Sequence, residues 1–204
     1  EWHGQLYTSG FRKRYYGEDG KLVYGLKIID GKQYYFDMSG LLVVHFAYSV
    51  DGKNYYSFGD GTVIELSNDG WNKVGEEYLY IKDGQLLTSC VAQIDGAYYG
   101  FDNRGFMYSN TTFSIWSENY SKQDYYWASP SGALYTNTWG GDTYANYYGA
   151  DAKRCKGAQT IDGVQYGFDN SGYLVVSDVF ISDGVNYYCD AEGRMTEMPN
   201  NQWY

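Results

Sequence analysis

Apolar and polar positions along this chain change over short distances, with no long helical stripe. The segment Ile29-Asp30-Gly31-Lys32-Gln33-Tyr34-Tyr35-Phe36-Asp37-Met38-Ser39-Gly40 shows the pattern. A turn dipeptide precedes a short aromatic run, and a second glycine closes the run. A brief apolar stretch follows, Leu41 to Val44 here and Tyr173 to Val176 later. Asp-Gly favours a tight hairpin turn, because glycine takes positive φ at low cost. Each unit therefore reads turn, strand, turn, strand. Successive strand residues point to opposite faces, so Tyr34 and Phe36 are expected on one face and Tyr35 on the other.

The unit recurs. Aligned on Tyr34, the equivalent tyrosines are Tyr15, Tyr55, Tyr78, Tyr99, Tyr125, Tyr147, Tyr166 and Tyr187. Asp-Gly precedes the tyrosine at Asp30, Asp51, Asp95, Asp162 and Asp183; the later glycine recurs at Gly40, Gly61, Gly84, Gly105, Gly172 and Gly193. A period near twenty residues signals an array of stacked units. One hairpin is marginal alone in water, whereas stacked hairpins bury one another's faces. The expected fold is all-β, a solenoid of about nine hairpins over residues 1–204 as a single module, with an irregular long repeat at about 106–139. The Tyr34-type position is expected in the shared core. The Tyr35-type position varies (Leu79, Gly100 and Gly167 stand there) and is expected at the surface or in a groove.

Composition sharpens this picture. The chain has 204 residues, of which 26 are Tyr, 26 Gly and only 2 Pro, and aromatics reach 20%. Tyrosine offers both a ring and a hydroxyl, which suits a wet interface. A net charge of −10 argues against nucleic acid, whose phosphates need a Lys/Arg footprint, and against anionic membrane surfaces. No apolar run is long enough for a membrane helix. The chain opens on Glu1 in mid-repeat without a signal segment, so a fragment of a larger protein, with its partner domain absent, is expected.

The cadence GxxYYFDxxGxL, best in Asp30–Gly40, Asp95–Gly105, Asp162–Gly172 and Asp183–Gly193, resembles the cell-wall-binding repeat family. That family takes in choline-binding repeats of wall hydrolases, glucan-binding repeats of glucansucrases and receptor-binding repeats of clostridial toxins. The resemblance implies a hairpin superhelix with ligands between neighbouring hairpins, outside the cell or on its wall. Choline-binding members carry Trp after the tail glycine and again before the paired tyrosines, forming a cage for a quaternary ammonium. Here the first place reads as Leu26, Phe46 and Cys90, and the second as Gln33, Asn54, Glu77, Asp124, Asn146, Gln165 and Asn186. That is more similar to the glucan-binding and toxin branches, whose ligands are neutral sugars, so choline is not expected to bind.

Catalytic chemistry finds little footing. His3 and His45 sit in no triad or HExxH pattern. Asp37, Asp102, Asp169 and Asp190 recur before a turn, which suits turn bonding better than a glycosidase carboxylate pair. Cys90, Cys155 and Cys189 lack metal or disulfide spacing. The chain is expected to be neither an enzyme nor a cofactor binder. Its expected partner is a glycan or cell-wall polysaccharide; the alternative is a stalk or protein-interaction module without a sugar ligand. Flat aromatics beside Asn, Ser and Asp suit sugar faces and hydroxyls. The aromatics of the long repeat (Phe113, Trp116, Tyr120, Tyr125, Tyr126, Trp127, Tyr135 and Trp139) provide such a surface, unless they plug an irregular stack. Candidate sugar-binding residues are Trp116, Tyr125, Tyr126, Trp127 and Trp139, with Trp71, Tyr35, Tyr56 and Tyr188; Gly100 is expected to widen the groove beside them.

Overall fold

The structure, a computed structural model, describes residues 2–7, 10–116, 122–141 and 145–199. Tyr120 lies outside them, as does the side chain of His3. Among the described residues there is no helix, and the strands form nine antiparallel sheets. In chain order the hairpins are Trp2–Tyr7 with Gly10–Tyr15, Gly25–Ile29 with Lys32–Phe36, Phe46–Val50 with Lys53–Ser57, and Gly70–Val74 with Glu77–Lys82. Cys90–Ile94 with Ala97–Phe101, Thr111–Trp116 with Gln123–Ala128, Thr138–Gly140 with Asn146–Tyr148, Gly157–Ile161 with Val164–Phe168, and Asp178–Ser182 with Val185–Cys189 complete the series. The expected all-β array of about nine hairpins is what the chain forms. Short third strands, Val63–Glu65, Gln85–Leu86 and Met195–Glu197, join the third, fourth and ninth.

The chain divides into two compact units, residues 1–90 with 101–107, and residues 91–100 with 108–204. Inside each unit, neighbouring hairpins are tied by backbone bonds. In the first, Leu42 N–H donates to Lys13 C=O at 2.8 Å and Met107 N–H to Tyr78 C=O at 2.8 Å. In the second, Leu134, Arg154 and Leu174 donate to Tyr98, Tyr125 and Ala145, each at 2.8 Å. The Asp-Gly signals are hairpin turns as expected: Asp30 and Gly31 have φ of 50° and 77°, the two positive values of a type I′ turn. Asp83-Gly84 is another, joining Lys82 to Gln85, so Gly84 is not the second-loop glycine it resembles in sequence.

The second loop, not the tyrosine, sets the register. Asp37 N–H donates to Leu41 C=O and Gly40 N–H to Asp37 C=O, each at 2.9 Å. The same pair recurs with Gly17 and Gly20, Ser129 and Gly132, and Gly149 and Ala152. The residue before each loop is bridged across it: Tyr16 to Leu22, Phe36 to Leu42, Phe101 to Met107, Ala128 to Leu134, Tyr148 to Arg154 and Phe168 to Leu174. Ser57, Ile81 and Cys189 hold the same place through their ladders to Val63, Leu86 and Met195. On this register Tyr78 and Tyr125 fall one place before Tyr34, level with Gln33. Tyr15 and Tyr147 fall one place after it, level with Tyr35. The tyrosine alignment is thus corrected in four copies, because a tyrosine packs acceptably at any of three adjacent places while the loop's hydrogen bonds admit one.

The core position follows. Phe36, Ser57, Ile81, Phe101, Ala128, Tyr148, Phe168 and Cys189 are all nearly or wholly inaccessible, whereas Tyr34 and Tyr35 are both half-buried. The expected contrast between a core Tyr34 and a surface Tyr35 does not hold. Both faces of a hairpin meet neighbours: Tyr35 stacks on Tyr48 at 4.3 Å, and Tyr55 and Tyr56 are both buried. Gly40 is needed where the loop passes over the preceding copy, since a Cβ there would lie 2.6 Å from Leu22.

Contacts between copies are matched in size. A Cβ on Gly100 would come within 2.1 Å of the Phe113 ring, and one on Gly167 within 2.9 Å of Phe180. Conversely Trp127, level with Gly100, meets Gly140 in the next hairpin, where a Cβ would lie 3.1 Å from the indole. Gly100 therefore does not widen a groove: Phe113 fills the space it leaves, stacked on Tyr108 at 4.0 Å.

Tyr48 yields a pH prediction. Its ring lies between Tyr35 and Tyr55, at 4.3 and 6.0 Å. Burial pushes its phenol up to about 12, against the bond donated by the Ser57 hydroxyl, which lowers it. A phenol whose proton is held more tightly folded than unfolded, where its pKa is about 10, stabilises the fold fully below pH ~10. That contribution is lost as pH rises through about 12. Ultraviolet titration is expected to show a late tyrosinate step that Tyr48→Phe abolishes; an unchanged titration would refute the assignment.

Candidate functional site

The candidate sugar-binding residues divide by exposure. Tyr56 is 5% exposed, edge-on to Phe58 and Phe106 at 5.2 and 5.8 Å. Tyr126 is equally buried, in a cluster with Ala128, Leu134 and Ala152. Trp127 is half-buried, packed on Tyr135 at 4.1 Å. Tyr125 is half-buried beneath the side chains of Arg154 and Lys156, whose cationic centres lie 4.9 and 5.4 Å from its ring. Tyr35 is committed to Tyr48. Trp116, opposite Gln123 at the loop end of its hairpin, and Tyr188, opposite Val179, remain exposed. Trp116 and Trp127 thus stand near opposite ends of one hairpin, four ladder pairs apart.

Trp71 and Trp139 are structurally equivalent. Each stands on the first strand of its hairpin, paired with the residue just before the core position: Trp71 with Tyr80 and Trp139 with Tyr147. Each leans over the core aromatic of the following copy. Trp71 lies 6.1 Å from Phe101, tilted at 37°, and Trp139 lies 5.9 Å from Phe168, tilted at 35°. Each is edge-on to two tyrosines, Trp71 to Tyr80 and Tyr78 at 4.9 and 6.4 Å, Trp139 to Tyr166 and Tyr147 at 5.1 and 5.2 Å. Their exposures, 37% and 39%, match as well. One indole surface is fixed against the fold and part of the ring meets solvent. That combination presents a rigid apolar plate with phenols beside it, which suits the C–H face of a pyranose.

Sequence reading missed Tyr78, Tyr80, Tyr147 and Tyr166, and treated Trp71 and Trp139 as unrelated. The signal was strand pairing. The residue facing the Tyr35 place is Trp2, Leu26, Ala47, Trp71, Thr112, Trp139, Ala158 or Val179. Phe46, read as standing there, pairs with Ser57 one place away. Likewise Tyr78 and Tyr125, not Glu77 and Asp124, stand at the place before the paired tyrosines.

The acids behave as turn elements. One oxygen of Asp37 accepts from Ser39 and Leu41 N–H at 2.8 and 2.9 Å, and Asp102, Asp169 and Asp190 repeat the arrangement. His45 has φ of 51°, like Ser89, Asn110 and Ser177 at the same link before a first strand, and its ring covers Gly59. Cys189 is a buried core residue; burial pushes its thiol up. Among the described residues no group of three metal-ligating side chains converges.

No protein-family model matches the chain. Among curated proteins it is 28% identical to Glucosyltransferase-I of Streptococcus downei over 183 residues, 87% of this chain and 11% of that protein. It is also 28% identical to Glucosyltransferase-S of the same species over 201 residues, 93% of this chain and 14% of that protein. The chain therefore spans only a small part of these relatives. Among solved structures, the choline-binding domain of CbpL from Streptococcus pneumoniae shares the fold, with a TM-score of 0.50 at 24% identity, covering 85% of this chain and 87% of that one. By its recurring hairpin and its loop register the chain is a repeat array of β-hairpins, similar in sequence to a part of two streptococcal glucosyltransferases and in fold to the choline-binding domain of CbpL.

Proposed function

We propose that the chain is a non-catalytic binding module that fastens a larger extracellular protein to a neutral polysaccharide at the cell surface, with residues 1–204 serving that one role. The observation that carries this reading is the pair of equivalent tryptophan plates, Trp71 with Tyr78 and Tyr80, and Trp139 with Tyr147 and Tyr166. Two like sites in one chain gain avidity on a repeating polymer. The net charge of −10 repels polyanions and leaves neutral sugars free to approach. The carboxylates that recur at one frame position, Asp37, Asp102, Asp169 and Asp190, are each occupied in loop closure.

The likeness to regions of two glucosyltransferases supports an α-glucan as the first polymer to test. Retention of the chain on immobilised α-glucan, peptidoglycan and teichoic acid is the experiment. Retention on α-glucan, competed by soluble glucan, is expected. Passage through all three would overturn the reading and leave a stalk without a sugar ligand.

A further inference from the structure

The residue bridged across the second loop is apolar in every other hairpin: Leu22, Leu42, Val63, Leu86, Met107, Leu134, Leu174 and Met195. In the seventh hairpin it is Arg154. The stem of Arg154 keeps the apolar path. A Cβ on Gly172 would lie 2.5 Å from its Cδ, just as one on Gly40 would meet Leu22. Its head group then enters a space walled by three rings. The guanidinium carbon lies 4.9 Å from the centre of Tyr125, 5.2 Å from Tyr173 and 5.9 Å from Tyr148. One Nη donates to Tyr148 Oη and the other to Ser171 C=O, both at 3.4 Å, and the Tyr173 hydroxyl is a further hydrogen-bond partner. Nε is buried with no hydrogen-bond partner among the described residues. No carboxylate forms an ion pair with it among the described residues, in a chain with ten more acids than bases.

Leucine at this place would pack as it does in neighbouring copies. What arginine adds is a cation, and the groups that receive it are tyrosine rings and hydroxyls, with no carboxylate among the described residues. Ring quadrupoles attract a weakly hydrated cation more strongly as water is excluded, and a quaternary ammonium is the ligand class such a cage selects. Lys156 extends the arrangement: its Nζ donates to Gln123 C=O at 2.9 Å and lies 5.4 Å from the centre of Tyr125.

We propose that Arg154 is a resident cation that occupies a tyrosine cage of Tyr125, Tyr148 and Tyr173, and thereby closes to external ligands a site whose chemistry suits a quaternary ammonium group. The inference does not depend on the glycan reading, which concerns other residues.

The test titrates tetramethylammonium chloride into three proteins and follows the ring resonances of Tyr125, Tyr148 and Tyr173 by NMR. They are the natural chain, the double variant Arg154→Leu with Lys156→Gln, and Arg154→Lys. Leucine restores the residue type of the other copies, so the double variant is expected to keep the natural unfolding midpoint. Its three rings are expected to shift together and saturate as one site of about millimolar affinity. The natural chain and Arg154→Lys are expected to stay silent at these rings. The Arg154 Nε–H resonance of the natural chain is expected upfield of its free position, because the rings enclose it. Any of four results would overturn the proposal: rings in the natural chain that titrate as readily as in the variant, a folded double variant whose rings do not respond, a double variant that fails to fold, or an Nε–H resonance at its free position.

Discussion

Phe36→Ala is expected to destabilise the protein by about 4 kcal/mol, the usual cost of emptying an aromatic core site. Phe36 is 1% exposed. It packs with Ile29 and Leu42 and against Tyr15, Val23 and Tyr34, and it closes the loop ladder through its bridge to Leu42. Few neighbours can collapse into the space, because the flanking hairpins are held by the Leu42 to Lys13 backbone bond. Tyr34→Ala and Tyr35→Ala are expected to cost about 1–2 kcal/mol each, since both rings are half-buried and keep some hydration in the native state. The shift in urea midpoint across the three variants is the measurement. A loss from Tyr34→Ala as large as that from Phe36→Ala would restore the tyrosine as the core position and refute the loop register.

The largest functional effect is expected from removing both tryptophan plates. Trp71→Ala and Trp139→Ala should each weaken retention on the bound polymer about tenfold, or about 1.4 kcal/mol. The double variant should lose nearly all of it, because avidity disappears with the second site. Stability must be tracked alongside. Each indole covers a core ring, Phe101 or Phe168, so truncation uncovers apolar surface and should cost about 1–2 kcal/mol. Trp71→Phe and Trp139→Phe separate the two effects, since a phenyl ring keeps the cover and shrinks the plate. They should preserve the unfolding midpoint while still weakening binding. Unchanged retention in the double alanine variant would remove these residues from the site. Trp116, 51% exposed at a hairpin end, and Tyr188 would then be the remaining exposed candidates.

How far the sequence speaks depends on what local chemistry decides. Asp30-Gly31 and its counterparts announced hairpin turns because both φ values are positive, a need that Asp-Gly meets by itself. Asp37 and its equivalents announced loop closure for the same local reason. Register was harder. Tyr15, Tyr125 and Tyr147 look like Tyr34 in sequence, yet sit one place off, and the loops at Gly17, Ser129 and Gly149 lack the aspartate that marks the register at Asp37; Tyr78 is off because the two-residue turn Asp83-Gly84 stands where that loop would be. The equivalence of Trp71 and Trp139 was hidden for a different reason. It is a cross-strand relation to Tyr80 and Tyr147, and the seventh hairpin has shorter strands that disguise it. Gly100 misled because an absent side chain reads as free space, whereas the ring that fills it belongs to the next hairpin.

The size matching between copies has a consequence for how such a chain can change. Gly100 accepts only a neighbour that brings a ring, as Phe113 does, and Trp127 accepts only one that brings none, as Gly140 does. Units that look alike in sequence are therefore not interchangeable. Excising the sixth hairpin would set Gly100 against Gly140 and leave a void. Duplicating it would drive Trp127 into Phe113. Gene slippage, which lengthens and shortens uniform repeats freely, would here produce misfits at the junctions around Gly100, Trp127 and Gly167. Order along the array is written into the joints, and a lineage could alter its length only by exchanging matched pairs.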